Sequence, residues 1–271
     1  ALHFGLAAGD RTYIPGDEIA AEFQRDPGKV MRYVGDDASE TRAVSDLLSP
    51  GVFIQAQCLP YAYQNVCVRG TATKIDALLV REYLRAGQAV PQASPARMFE
   101  GGYADIFATG VLRNVHHCDV RSLYPSLMLS RRLGPRTDEL GVFLRLLERL
   151  RAFRLDARRR MDGASGRERD YFDALQATFK IFINSFYGYL GFEQGHFNDY
   201  DAAEQVTAGG RDLLSALIAW LRENGGQPVE IDTDGIYYVP PVFANEKAQK
   251  RFESDLRATL PKGIEIDGGR N

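Results

Sequence analysis

The sharpest alternation in the chain runs through His116-His117-Cys118-Asp119-Val120. In an extended strand His116, Cys118 and Val120 share one side, which can be buried, while His117 and Asp119 take the other. Pro125 has no N–H to give a sheet ladder but is tolerated in the first turn of a helix. Leu127, Met128 and Leu129 then begin an apolar helical run. The pattern predicts a strand that breaks into a helix, with one carboxylate beside free backbone N–H groups at the helix start. Such a corner suits a divalent cation and a phosphate together. An ordinary strand-to-helix corner with an exposed Asp would look the same in isolation.

Elsewhere a period near 3.6 dominates. Asp17 to Phe23 and Ser39 to Leu48 are expected to be helical. Thr71 to Leu84 carries Ile75, Leu78, Leu79 and Tyr83 at helical spacing, with Thr71 or Thr73 available as a cap. Ala89 to Pro95 is a Pro-containing connector. Leu140 to Met161 and Arg169 to Tyr187 form two helices around a tight Gly163-to-Gly166 turn, a helical hairpin. Gly188 to Phe197 is a Gly-rich exit. Asp201 to Glu223 is a long helix stopped at Asn224-Gly225-Gly226. Pro228 to Pro240 is expected to be strand, turn, strand, with Asp234-Gly235 as the turn dipeptide. Asn245 to Leu260 is a last helix, and Gly263 to Asp267 is strand-like before Gly268-Gly269.

Composition changes this picture only locally. The chain has 271 residues, 45% hydrophobic and 25% charged, with a net charge of -3, which is globular and does not advertise nucleic-acid binding. Yet between Arg131 and Arg169 there are twelve arginines against six acids. Three cysteines, Cys58, Cys67 and Cys118, have neither zinc-ligand spacing nor a disulfide pattern, so a reducing compartment is expected. Leu213 to Leu221, the most apolar run, is too short to span a bilayer. These readings imply no membrane partner and a soluble, intracellular protein, cytoplasmic and nucleoid-associated if its source is bacterial. The ends, Ala1 without an initiator Met and Gly268 to Asn271 after a strand, read as those of a piece of a longer polypeptide.

Three constellations carry chemistry. Asp232 and Asp234 lie at the hairpin tip and share a face if the strand continues through them. Gln176, Lys180, Asn184, Tyr187 and Gly188 form one polar stripe on the second hairpin helix, with Phe179, Phe182 and Ile183 opposite. Arg154 and Arg158 share a face of the first, and arginine forks suit phosphate oxygens. Two acidic tips flanking a basic hairpin are what phosphoryl transfer to a polyphosphate needs: two divalent ions held roughly 3.5–4 Å apart by carboxylates, and cations on the remaining phosphates.

These residues resemble three motifs of the family B DNA polymerases, in order. Asp119-Val120-Arg121-Ser122-Leu123-Tyr124-Pro125-Ser126 looks like D-x-x-S-L-Y-P-S of the palm, Lys180 to Gly188 like K-x-x-x-N-S-x-Y-G of the fingers, and Asp232-Thr233-Asp234 like the D-T-D hairpin of the palm. The resemblance implies an α+β fold: a small, mostly antiparallel palm sheet packed on helices, a helical-hairpin fingers subdomain, and a partial RNase H-like exonuclease remnant at the N-terminus. It implies the C-terminal part of a 3′–5′ exonuclease domain with a linker at 1–95, palm at 96–135, fingers at 136–192 and palm again at 193–271, with the thumb absent.

It further implies that Asp119 and Asp234 ligate two Mg²⁺ ions (or Mn²⁺), helped by the Val120 carbonyl, with Asp232 structural or indirect. The N–H groups of Leu123 and Tyr124 would meet the triphosphate and the Tyr124 ring would exclude a 2′-hydroxyl. Lys180, Arg154, Arg158 and Asn184 would bind the incoming dNTP, and Tyr187 and Gly188 would line the nascent base pair. Phe99-Glu100-Gly101-Gly102 is similar to the family's Y-x-G-G element, which puts Gly101 and Gly102 against template DNA. Tyr33 and Asp37 fit Y-x-x-x-D of the third exonuclease motif, whose partner motifs lie upstream of Ala1 or are absent. Where the family usually has Tyr-Gly before its D-T-D and Ser after it, this chain has Glu230, Ile231 and Gly235. The implied activity is template-directed addition of deoxynucleotides to a primer 3′-hydroxyl in DNA replication, with primer–template DNA and dNTP as partners and any processivity factor unspecified. The rivals are an inactive, polymerase-shaped binding or scaffold protein, and a nuclease acting through Asp37 with carboxylates that these residues do not supply.

Overall fold

The computed structural model describes residues 1–261 and 263–270. The N-terminal section is helical: α1 (Ile19–Arg25), α2 (Pro27–Cys58), α3 (Tyr63–Val68) and α4 (Thr71–Arg85). α2 departs from expectation, for one helix of 32 residues absorbs the stretch read as a separate Ser39-to-Leu48 helix. Its start explains the early onset: Pro27 opens it with its φ already helical, and the Asp26 side chain accepts from the Lys29 N–H. The helix runs on through Pro50, which withholds one N–H from the ladder. α4 matches its expected span, but Gly70 stands at its N-cap and neither threonine caps it.

The sheet has five strands, β1 (Ala104–Ile106), β2 (His116–Val120), β3 (Gln227–Asp232), β4 (Gly235–Val239) and β5 (Ile266–Arg270), in the order β1-β3-β4-β2-β5, and each neighbouring pair is antiparallel. Among the described residues the further helices are α5 (Leu123–Arg131), α6 (Val142–Gly163), α7 (Gly166–Leu190), α8 (Tyr200–Glu223) and α9 (Glu246–Ala258). β2 alternates as its sequence requires, with His116, Cys118 and Val120 buried and His117 and Asp119 half-buried. Its inner side joins Ile231, Ile236 and Tyr238 in a core closed by Leu214, Leu217 and Leu221 of α8 and Phe252 and Leu256 of α9. The opposite side of the sheet stays open.

A second core lies between α4, α6, α7 and α8, around Ile75, Leu79, Phe143, Leu147, Phe186 and Tyr189. It also seats α7 further along than the glycines suggest. The helix passes straight through Gly188, expected to begin the exit, because Tyr189 and Leu190 are fully buried. That burial outweighs the roughly 1 kcal/mol that a helical glycine costs. β5 likewise extends through Gly268, where strands come so close that a Cβ would sit 3.1 Å from the His117 carbonyl oxygen. Among the described residues no helix is long and apolar enough to cross a membrane.

Candidate active site

The open side of the sheet carries the chemistry. Asp119 lies across from Gly235 on β4 and from Asp267 on β5, and Asp232 across from Gly235 on β3. The hairpin turn is Thr233-Asp234, not Asp234-Gly235, so the strand does not continue through both carboxylates as the alternation argument required. Thr233 takes the left-handed conformation, φ 60°, rare for a β-branched residue. Its N–H donates to the Tyr103 carbonyl at 2.9 Å and its hydroxyl to the Asp232 carboxylate at 2.9 Å. This pinned turn aims Asp234 back over β2, where the Val120 N–H donates to the Asp234 carbonyl at 2.8 Å. The two acidic tips are thereby tied by backbone. Burial raises the Asp234 pKa above the usual carboxylate value, and repulsion from Asp119 and then Asp232 adds to it. A divalent cation bound there would favour the charged carboxylate and offset both. The set is small, however: no cluster of three or more His, Cys, Asp or Glu poised for a metal occurs among the described residues.

β2 leads into α5 through Ser122, itself left-handed at φ 51°, and no side chain caps the helix. Its first N–H groups, those of Leu123 and Tyr124, therefore stand at an uncapped helix start. The hairpin of α6 and α7 faces this corner. Arg154, Arg158, Lys180 and Asn184 line one open cleft with Asp119, Leu123, Tyr124 and Asp234. Burial lowers the Arg154 pKa, and the positive charges of Arg158 and Arg121 add to the effect. The Arg154 Nε is buried without a hydrogen-bond partner among the described residues. A phosphate would supply what this cation lacks.

The Tyr124 ring packs 4.5 Å from that of Tyr187, and its phenol is pushed up to about 12 by burial, then by Tyr187 and Asp234. Gly102 lies against it, for a Cβ there would be 2.7 Å from the Tyr124 hydroxyl. The loop is held from α8: the Thr207 hydroxyl donates to the Glu100 carbonyl at 2.8 Å and Arg211 to the Gly101 carbonyl at 2.6 Å.

The cleft thus gathers most of the residues named from sequence. Val120 is buried behind it, Tyr187 and Gly188 continue the stripe along α7, and Asp232 is exposed beside the turn. Tyr33 and Asp37 lie on α2, outside the cleft lining. Asp37 is paired there with Arg11 at 2.5 Å, and Arg11 also reaches Glu40 at 2.7 Å. Sequence reasoning missed His117, Arg121, Asp267 and Gly268, which also line the cleft. Arg121 pairs with Asp267 and, at 2.8 Å, with Glu265. Arg121 sits inside the recognised motif; Asp267 had no signal beyond its strand.

A small antiparallel sheet with tied carboxylates thus faces an arginine-bearing helical hairpin across one cleft. The family profile described as DNA polymerase family B matches residues 135–234. A DNA polymerase of Archaeoglobus fulgidus is 26% identical over 261 residues, 88% of this chain and 33% of that protein. DNA polymerase 1 of Pyrococcus abyssi is 26% identical over 302 aligned positions, 98% of this chain and 39% of that protein. The structure of the family B DNA polymerase from the hyperthermophilic archaeon Pyrobaculum calidifontis matches with a TM-score of 0.71 at 24% identity, over 98% of this chain and 38% of that one, a likeness of fold. The resemblance to the family B DNA polymerases, read first from three motifs, is therefore borne out. The chain spans only a third to two-fifths of the length of these curated relatives.

Proposed function

We propose that this chain is the catalytic portion of a template-directed DNA polymerase, adding deoxynucleotides to a primer 3′-hydroxyl and releasing pyrophosphate. The observation that carries it is the pairing of opposite imbalances in one cleft. Asp119 and Asp234 repel each other, and across from them the Arg154 Nε lacks a hydrogen-bond partner among the described residues. A dNTP with divalent cations answers both. In this reading 96–135 and 193–271 are palm, 136–192 fingers, and 1–95 the tail of an exonuclease domain and linker.

Asp119, Asp234 and the Val120 carbonyl would hold two Mg²⁺ ions, which supply nucleophile activation and charge neutralisation. The chain's own groups do the rest. Leu123 and Tyr124 N–H groups and the Arg154, Arg158 and Lys180 side chains grip the triphosphate, with Asn184 beside it. The Tyr124 ring, roofed by Gly102 and backed by Tyr187, occupies the space a 2′-hydroxyl would need. Tyr187 and Gly188 border the nascent base pair, and Gly101 and Gly102 the template. Asp232 orients Thr233 rather than binding a cation. Tyr33 and Asp37 remain exonuclease candidates, in which a metal at Asp37 would have to displace Arg11.

Both carboxylates and the cationic stripe are retained, which disfavours an inert polymerase-shaped scaffold. The test is primer extension by the full-length protein with and without Mg²⁺. Metal-dependent, templated extension is expected; its absence from a folded, DNA-binding protein would favour the scaffold.

A further inference from the structure

We infer that His117 seats the primer end, donating a hydrogen bond from its imidazole to the last phosphodiester of the primer. This deepens the polymerase reading and rests on it. His117 precedes Asp119 by two residues on β2, so it shares the face of that carboxylate, about 7 Å back along the strand. The triphosphate grips lie the other way: α5 follows Asp119, and Arg154, Arg158 and Lys180 face that corner. In an in-line displacement the attacking oxygen stands opposite the leaving pyrophosphate. The primer end must therefore arrive over the part of the sheet that His117 occupies.

Apart from the Tyr237 hydroxyl, that part is poor in donors. His117 lies across from Tyr237, and Tyr237 across from Glu230, so one row across β2, β4 and β3 reads His, Tyr, Glu. The next row holds Asp267, Asp119 and Asp232. A DNA phosphate set on this face meets acids on both sides. Arg121 is engaged by Asp267 and Glu265, and the Thr233 hydroxyl by Asp232. His117 is half-buried, lines the cleft, and has no hydrogen-bond partner on its ring nitrogens among the described residues. Its ring packs 4.8 Å from that of Tyr237, at 36°. Gly235 lets it sit close, since a Cβ there would be 3.0 Å from the His117 Nε2. The ring is thus placed and oriented beside the Asp234 carboxylate, its charged neighbour, and makes no hydrogen bond through its nitrogens among the described residues, as expected of a donor awaiting a ligand.

The bland alternative is that His117 only packs on Tyr237. His117→Phe keeps that packing and removes the donor; His117→Gln keeps a donor. Equilibrium binding of primer–template DNA to the full-length protein, without nucleotide, separates the two. Phe is expected to weaken binding roughly tenfold, and Gln to retain most of the affinity. A primer with an uncharged methylphosphonate at its last linkage should weaken the unsubstituted protein and leave the Phe variant unaffected. Unchanged affinity in His117→Phe, with an unchanged melting temperature, or an equal loss from the methylphosphonate in both proteins, would overturn the assignment. Failure of the unsubstituted protein to extend primers sinks the polymerase reading instead; the binding comparison still decides on His117.

Discussion

Asp234 and Arg154 both stand in surroundings that disfavour their charges. Asp234 is half-buried beside a like charge, and Arg154 keeps a buried Nε without a hydrogen-bond partner among the described residues. Each is a standing cost to the folded chain, retained where a ligand of opposite sign offsets it. Asp119→Ala or Asp234→Ala is expected to reduce primer extension by about 10³-fold or more, with the melting temperature retained. Normal extension by either variant would sink the metal assignment. Arg154→Met should behave oppositely in two assays. The melting temperature of the nucleotide-free protein should hold or rise, because a poorly satisfied cation is gone. The KM for dNTP should rise roughly tenfold or more, because a charge-assisted phosphate contact is lost. Tyr124→Ala should increase ribonucleotide incorporation in a competition assay; unchanged sugar selectivity would place the gate elsewhere.

Helix α8 illustrates how an element is anchored so that the site stays in register. Asp199 caps it, accepting from the Ala202 N–H at 3.0 Å, and also binds the Arg136 N–H at 2.9 Å and guanidinium at 3.0 Å. Burial pushes its pKa up, but those N–H groups and the guanidinium win, and the net direction is down. A carboxyl with a depressed folded pKa contributes stability above its unfolded value near 3.9, lost as pH falls through the folded pKa. Asp199→Asn should therefore cost about 2 kcal/mol at neutral pH in denaturant melts, and the gap should narrow below about pH 4. A gap constant down to pH 2 would mean the charge is irrelevant.

The elements were unevenly legible in the sequence. α4, α6, α8 and α9 came within a few residues of their periodic patterns, since each buries one stripe. α2 is legible only from Ser39 to Leu48 because Val30 and Ile54 are its buried residues, which leaves a weak stripe to read. The hairpin turn was displaced by one residue because Asp-Gly is good turn chemistry, whereas Thr233 reaches φ 60° only with the tertiary bond to Tyr103.

At the scale of the molecule the described residues form two cores, one under the sheet and one inside the helices, and the cleft is lined from both. Tyr124 touches both cores. A ligand held by the sheet carboxylates and the hairpin arginines would bridge the two units. Mg²⁺ and dNTP together should raise the melting temperature by more than the sum of their separate effects, because each is incomplete without the other. Additive shifts in a thermal titration would argue for independent sites.

The sequence by itself determined the strand-to-helix corner at Asp119, the polar stripe of α7 and the paired arginines of α6. These follow from periods of 2 and 3.6 and from motif order, which are local. Only the tertiary structure decided that Asp234 turns back onto β2 and that Asp267 and Arg121 form the cleft's far wall. It alone put His117, two residues from the first recognised motif, beside the turn that carries Asp234. Strand order and register make these neighbours, and neither is encoded in the spacing of any one segment.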